Sequence, residues 1–265
     1  MPGLAGEDLQ PATTVSRAMS RQVLTVLSEA AEAVAASLVD LRDWGLAGTR
    51  DGQYRHDLRA DDAVVAVLRR HGYGVLSEES GLVDGSAEVV VIVDPVDGST
   101  NASLGIPWFA TSLCAVRDGV AIASLVVNLA SGERFEAVRG EGAWRNGQPI
   151  SSSGCSRVSD AVVGLSGLPP RHLGWAQFRA LGAAALDMCA VACGRLDAYV
   201  DCSFDAHGVW DYAGALLVCE EAGATVRDAL GRELIVMDHA VRRTPIAAAS
   251  GSLCASLVTA RVNWR

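Results

Sequence analysis

Val89-Val90-Val91-Ile92-Val93-Asp94-Pro95-Val96-Asp97-Gly98-Ser99-Thr100-Asn101 is the stretch whose reading decides the fold. Its run of β-branched residues predicts a buried β-strand. The strand ends by projecting Asp94, Asp97, Gly98 and two hydroxyls into one turn. Both carboxylates are hard oxygen ligands, suited to Mg²⁺ rather than to soft metals. Gly98 lets the backbone come close to a ligand, and the N–H groups from Gly98 onward open a helix fit to receive an anion. Carboxylates for a cation beside amides for a phosphate point to metal-assisted phosphoryl chemistry. Taken alone, the turn is better explained by Asp94 and Ser99 as caps and Gly98 as a turn residue.

Two further segments add acids to the argument. Gly74-Val75-Leu76 predicts a short strand running into Ser77-Glu78-Glu79-Ser80-Gly81, and adjacent acids near a core are costly without a cation. Trp210 to Ala224 predicts a helix with Asp211 in its first turn and Gly223 as its stop. A solvated turn and a favourable helix dipole are the plainer accounts of these two.

Together the three segments resemble the inositol monophosphatase family of Mg²⁺-dependent, lithium-sensitive phosphatases. Ser77-Glu78-Glu79 stands for the family's Gly-Glu-Glu, Asp94 to Ser99 for its Asp-Pro-x-Asp-Gly-(Thr/Ser), and Trp210-Asp211-Tyr212-Ala213-Gly214 for its Trp-Asp-x-Ala-(Ala/Gly)-Gly. Between them, Gly140 to Gly147 is similar to the family's Gly-x-Gly-Ala-x-x-Asn-Gly hairpin, and Gly182 to Cys189 with Gly194 to Tyr199 matches the helix before the last motif.

The resemblance implies an α+β fold, a five-layer αβαβα sandwich with a single catalytic domain over 1–265. Its halves, roughly 16–150 and 157–265, hold the active site between them, and 1–14 is expected to be irregular. It implies two to three Mg²⁺ ions. Glu78, Asp94 and the carbonyl of Val96 would hold one; Asp94, Asp97 and Asp211 would hold a second. Glu78 and Ser99 would orient the attacking water, and Gly98 and Ser99 would cradle the phosphate. Asp97, Ala184 and Asp211 would also line the phosphate and substrate site.

The chain departs from the family pattern in places. It contains no Lys, so Arg50, Arg55 or Arg59 stands in for the family's loop lysine. The family's Asp at the start of the next helix matches Asp61 best, with Asp57 and Asp62 as rivals. The substrate-contacting acid is Asp201 or Asp205, because Val200 to Val209 is longer than usual.

Composition agrees with this reading. A chain of 265 residues, half of them hydrophobic, is long enough to bury a sizeable core. No apolar run is long enough to cross a bilayer, and no signal-peptide pattern opens the chain. Cytoplasmic residence without membrane contact is therefore expected. Seven scattered Cys without short paired motifs predict reduced thiols. A net charge of −9 with no basic stripe tells against nucleic-acid binding. Absence of Lys removes P-loop and Schiff-base mechanisms.

Helical spacing predicts helices over Ser16 to Leu41 and Asp61 to Arg70, with a loop over the site from Trp44 to Arg59. Strands are expected at Thr111 to Val116, Ala121 to Asn128, Arg134 to Val138, Val162 to Leu165, Ala198 to Val200 and Ala247 to Ala249. Pro149 to Ser156 is the expected connector between halves, and Trp175 to Cys193 is expected to be mostly helical. Glu220 and Glu221 lie too far along their helix to share the metals of Asp211 and are read as structural. Of the five His, only His207, four residues before Asp211, is expected near the pocket.

The activity these features imply is hydrolysis of a small polyol or sugar phosphate, with inositol 1-phosphate the leading substrate. Histidinol phosphate, fructose 1,6-bisphosphate and 3′-phosphoadenosine 5′-phosphate are the alternatives. The competing class is a non-catalytic metal- or ligand-binding regulator. A homodimer is the assembly the resemblance implies.

Overall fold

The computed structural model describes residues 17–49 and 52–264. The expected irregular terminus and Arg50 lie outside the described residues. Helix α1 (Arg17–Leu38) and helix α2 (Arg55–Arg70) pack antiparallel ahead of strands β1 (Gly74–Ser77), β2 (Gly81–Val83) and β3 (Val90–Asp97). Short helix α3 (Ser99–Leu104) follows directly, then β4 (Ala110–Arg117), β5 (Val120–Asn128), β6 (Arg134–Val138), β7 (Gly142–Arg145) and β8 (Gln148–Pro149). These strands form one sheet in the order β2-β1-β3-β4-β5-β6-β7-β8, parallel only between β1 and β3.

After a polar connector come β9 (Val162–Ser166), β10 (Gln177–Arg179), helix α4 (Ala184–Ala192), β11 (Ala198–Asp201) and helix α5 (Trp210–Glu221). The chain closes with β12 (Thr225–Asp228), β13 (Pro245–Ala248) and helix α6 (Gly251–Val262). The second sheet has the order β10-β9-β11-β13-β12.

Side-chain alternation explains how the layers stack. On β3, Val91 and Val93 join Val23, Leu27 and Val64 of α1 and α2, while Val90 and Ile92 join α4 and α5 residues such as Met188 and Leu217. A strand covered on both faces has no polar positions to spare, which is why Val89 to Val93 reads as an unbroken apolar run. Tyr199 and Ala247 of the second sheet close the inner core, and Val163, Val200 and Ile246 pack outward on Leu253 and Leu257 of α6. The layers are α1α2, first sheet, α4α5, second sheet, α6: the expected αβαβα sandwich.

Two local expectations need correction. Helix α2 begins at Arg55, six positions before Asp61, because Asp57 Oδ2 accepts from the Tyr54 amide at 3.0 Å and caps the earlier start. Trp175 to Cys193 is helical only from Ala184; β10 occupies Gln177–Arg179 as an edge strand. Elements β2, β12 and α6 were not assigned from the sequence at all. All seven Cys are free thiols, and among the described residues no helix is long and apolar enough to cross a membrane.

Candidate active site

Asp94 lies near the end of β3, fully buried, and Glu78 follows the neighbouring β1. Parallel pairing of Ser77 with Val93 sets these two carboxylates side by side at the C-terminal edge of the sheet. Asp211 arrives from α5, which approaches β4 closely at Gly214. A Cβ there would meet Ser112 Oγ at 2.4 Å and the Leu113 amide at 3.3 Å, so only Gly allows this seating. Single oxygens of Glu78, Asp94 and Asp211 lie within 4.8 Å of one another.

Such a cluster is costly without a cation. Burial, the charge of Asp211 and that of Glu79 push the Glu78 carboxyl up to about 9. Burial and the charges of Glu78 and Asp97 raise Asp94 well above the carboxylate range. Asp94 Oδ1 is buried with no hydrogen-bond partner. An all-oxygen donor set with an unpartnered buried carboxylate oxygen fits a hard divalent cation.

Asp97 has structural partners of its own. Its two oxygens accept the amides of Ala184 (3.1 Å) and Ala185 (2.7 Å), capping α4 across the layers. Ala184 therefore meets the site through its amide on Asp97, whose charge acts on both the Glu78 and Asp94 carboxyls. Burial and the Asp211 charge push Asp97 up to about 7.

Gly98 takes a left-handed conformation (φ 86°), with the Trp108 carbonyl 3.1 Å from where a Cβ would stand. The turn starts α3 and presents Ser99. Ser99 Oγ lies 2.8 Å from Asp57 Oδ1 and 2.7 Å from the Val96 carbonyl. Asp57, not Asp61, is thus the helix α2 acid that reaches the site. Asp61 instead accepts the buried Ser77 hydroxyl at 2.5 Å, behind the strand.

A cavity of about 420 Å³ opens over these groups, lined by Asp57, Glu78, Glu79, Ser99 and Trp210. Gly52 and Gln53 close one side, Gln53 Nε2 donating to Glu79. Of the expected lysine substitutes, Arg55 pairs with Asp43 and Arg59 does not line the cavity. His239 and Arg242 also line it, both missed by sequence reasoning. No motif surrounds them; their nearness to Trp210 arises only from the path of the 229–244 segment.

His207 is near Asp211 as expected. Its Nδ1 is 3.0 Å from Asp211 Oδ2, and its Nε2 is 3.0 Å from the Tyr199 hydroxyl. Asp201 is buried, its Oδ2 has no partner, and burial pushes it up to about 6. Asp205 is tied to Arg232 at 2.6 Å, and its amide donates to Thr244. Of the two candidates, Asp201 has the unpartnered oxygen, but that oxygen is buried and Asp201 does not line the cavity. Glu220 pairs with Arg139, and Glu221 accepts the amides of Gly140 and Gly142, both structural as expected.

A five-layer αβαβα sandwich with a buried carboxylate cluster beyond its central strands defines a metal-dependent phosphatase architecture. Comparison with known proteins narrows the class. The model of the inositol monophosphatase family matches residues 8–262. An inositol-1-monophosphatase of Mesorhizobium japonicum is 36% identical over 234 residues, covering 78% of this chain and 85% of that protein. A fructose-1,6-bisphosphatase of Pyrococcus furiosus is 32% identical over 196 residues, covering 72% and 76%. Among solved structures, the extragenic suppressor protein suhB of Bartonella henselae superposes with a TM-score of 0.76 at 30% identity, covering 91% of this chain and 98% of that one. The chain belongs to the inositol monophosphatase family, and with it to the phosphoric monoester hydrolases.

Proposed function

We propose that this protein hydrolyses the phosphate monoester of a small polyol or sugar, with inositol 1-phosphate the leading substrate and Mg²⁺ the resident cation. The observation that carries the proposal is the convergence of Glu78, Asp94 and Asp211 within 4.8 Å, beside the Ser99–Asp57 pair. Glu78, Asp94, Asp211 and the Val96 carbonyl would hold two to three ions, with Asp97 offering its remaining lone pairs. When bound, Mg²⁺ supplies neutralising charge and makes a water acidic enough to attack phosphorus.

The residues of the chain do the positioning. A hydroxyl has one proton to donate, and Ser99 has two acceptors, Asp57 and the Val96 carbonyl. With that proton directed to Asp57, the Ser99 lone pairs are left to accept from the attacking water. Glu78, which lines the same cavity, accepts the other hydrogen of that water. The amides of Gly98 and Ser99 receive the phosphoryl oxygens.

Phosphate release from inositol 1-phosphate, histidinol phosphate, fructose 1,6-bisphosphate and 3′-phosphoadenosine 5′-phosphate tests the reading, with Mg²⁺ and then with EDTA. Release on at least one ester that EDTA abolishes is the expected result. Release that persists in EDTA, or none from folded protein in Mg²⁺, sinks it.

A further inference from the structure

Glu78 is held through its backbone on both sides. Its amide donates to the Val93 carbonyl of β3 at 3.1 Å, and its carbonyl accepts from His239 Nε2 at 3.0 Å. A carbonyl can only accept, so the hydrogen in the second bond belongs to the imidazole. Strand β1 ends at Ser77, so the sheet secures the amide side of Glu78 alone. The carbonyl side depends on His239, which stands 161 residues away in the irregular segment between β12 and β13.

The same imidazole also meets the motif that carries Asp211. It stacks on Trp210 with ring centroids 4.5 Å apart and planes 30° from parallel. The indole in turn lies against Gly208, where a Cβ would stand 2.4 Å from it. The Gly208 amide donates to Asp211 Oδ2 at 2.8 Å. A continuous chain of contacts thus runs from the Glu78 carbonyl through His239, the indole and Gly208 to the Asp211 carboxylate. Arg242 steadies the middle of that chain. Its Nη1 donates to the His239 carbonyl at 2.7 Å, and its Cζ lies 4.9 Å from the Trp210 ring centroid.

We infer that His239 is a positioning residue of the cation site, holding Glu78 and Asp211 at ligating distance and so raising affinity for the divalent ion. It acts through the Glu78 backbone and Trp210, not as a ligand. The inference rests on reading the Glu78–Asp94–Asp211 cluster as the cation site. The two acids come from different layers, the turn after β1 and helix α5, and like charges drive them apart. Carboxylates already restrained against that repulsion spare the ion the cost of assembling them.

Calorimetric titration of Mg²⁺ into the metal-stripped full chain tests this for wild type, H239F and H239Q, with thermal unfolding of each in EDTA. Phe keeps a ring against Trp210 and loses the donor, whereas Gln keeps a donor N–H and loses the ring. Position 239 is half-buried and lies outside the packed core, so both variants should unfold in EDTA near the wild-type Tm. H239F is expected to bind Mg²⁺ about three- to tenfold more weakly, the worth of one hydrogen bond, and H239Q to recover most of that loss. H239F binding within about twofold of wild type overturns the role of His239, since one lost hydrogen bond exceeds that change. So does an H239Q as weak as H239F, or an affinity loss matched by a fall in the EDTA Tm, which marks a merely structural residue. Absence of Mg²⁺ binding by folded wild type overturns the cation reading itself, and the inference with it.

Discussion

Glu78 and Glu79 are neighbours in sequence with different surroundings. Glu78 shares an oxygen cluster with Asp94 and Asp211, whereas Glu79 is engaged by Gln53. Glu78→Gln is nearly isosteric and removes a charge that the fold already strains to keep. It should lower kcat by about two orders of magnitude or more, the range of a lost general base, while thermal unfolding in EDTA stays unchanged or rises. Glu79→Gln should cost about tenfold at most, since it loses no member of the cluster. Steady-state phosphate release on both variants checks the pair; equal losses would refute the assignment. Asp94, Glu78 and Asp211 were legible in the sequence because each belongs to a short motif with its own turn chemistry. His239 and Arg242 were not, because they reach Trp210 through a long irregular segment with no local pattern.

Helix α2 shows how an element boundary decides which acid is functional. Reading its start at Asp61 put the wrong turn of the helix beside Ser99. The true start, capped by Asp57 on the Tyr54 amide, places Asp57 at the mouth and Asp61 one turn deeper against Ser77. Asp57→Asn should reduce kcat by about tenfold or more, because the Ser99 hydroxyl loses its charged acceptor. Asp61→Ala should leave kcat within about twofold and instead destabilise by roughly 1–3 kcal/mol, the cost of stranding the buried Ser77 hydroxyl. Kinetics and denaturant melts on the two variants check this; reversal of the two effects would return the role to Asp61. The strands were easier to read than this helix start. Alternation or an unbroken β-branched run is a local signal, whereas the start of α4 at Ala184 depends on Asp97, 87 residues away in the chain. No window around Trp175 to Cys193 contains that cap, so the segment reads as more helical than it is.

At the scale of the molecule, the cluster joins the first sheet, through Glu78 and Asp94, to the inner helix layer, through Asp211. Its protonation is therefore a stability question for the whole fold. Without metal, burial and mutual charge hold Glu78 up at about 9 and Asp97 at about 7, far above where the unfolded chain titrates. His207 follows the same direction: burial alone lowers it, but the Asp211 hydrogen bond and charge outweigh burial and hold it at about 9. A raised folded value means the folded protein binds more protons than the unfolded one. The resulting stability is full below the unfolded carboxylate range and is lost as pH rises through about 7 and then about 9. Asp228 acts oppositely, held below the usual range by Arg232 and the Thr244 amide against the effect of burial, but it matters only in acid. Divalent cations need the deprotonated carboxylates, so they compete with these protons and their stabilisation must grow with pH. In EDTA, Tm should fall between about pH 5.5 and about pH 8.5, and saturating Mg²⁺ should open a gap that widens over the same range. At about a hundredfold excess over Kd that gap corresponds to roughly 2.7 kcal/mol. Differential scanning fluorimetry across this range, with EDTA or Mg²⁺, checks the slope and the gap together. A Tm in EDTA that climbs with pH, or a Mg²⁺ shift indifferent to pH, would mean the carboxylates are not the groups that bind the ion.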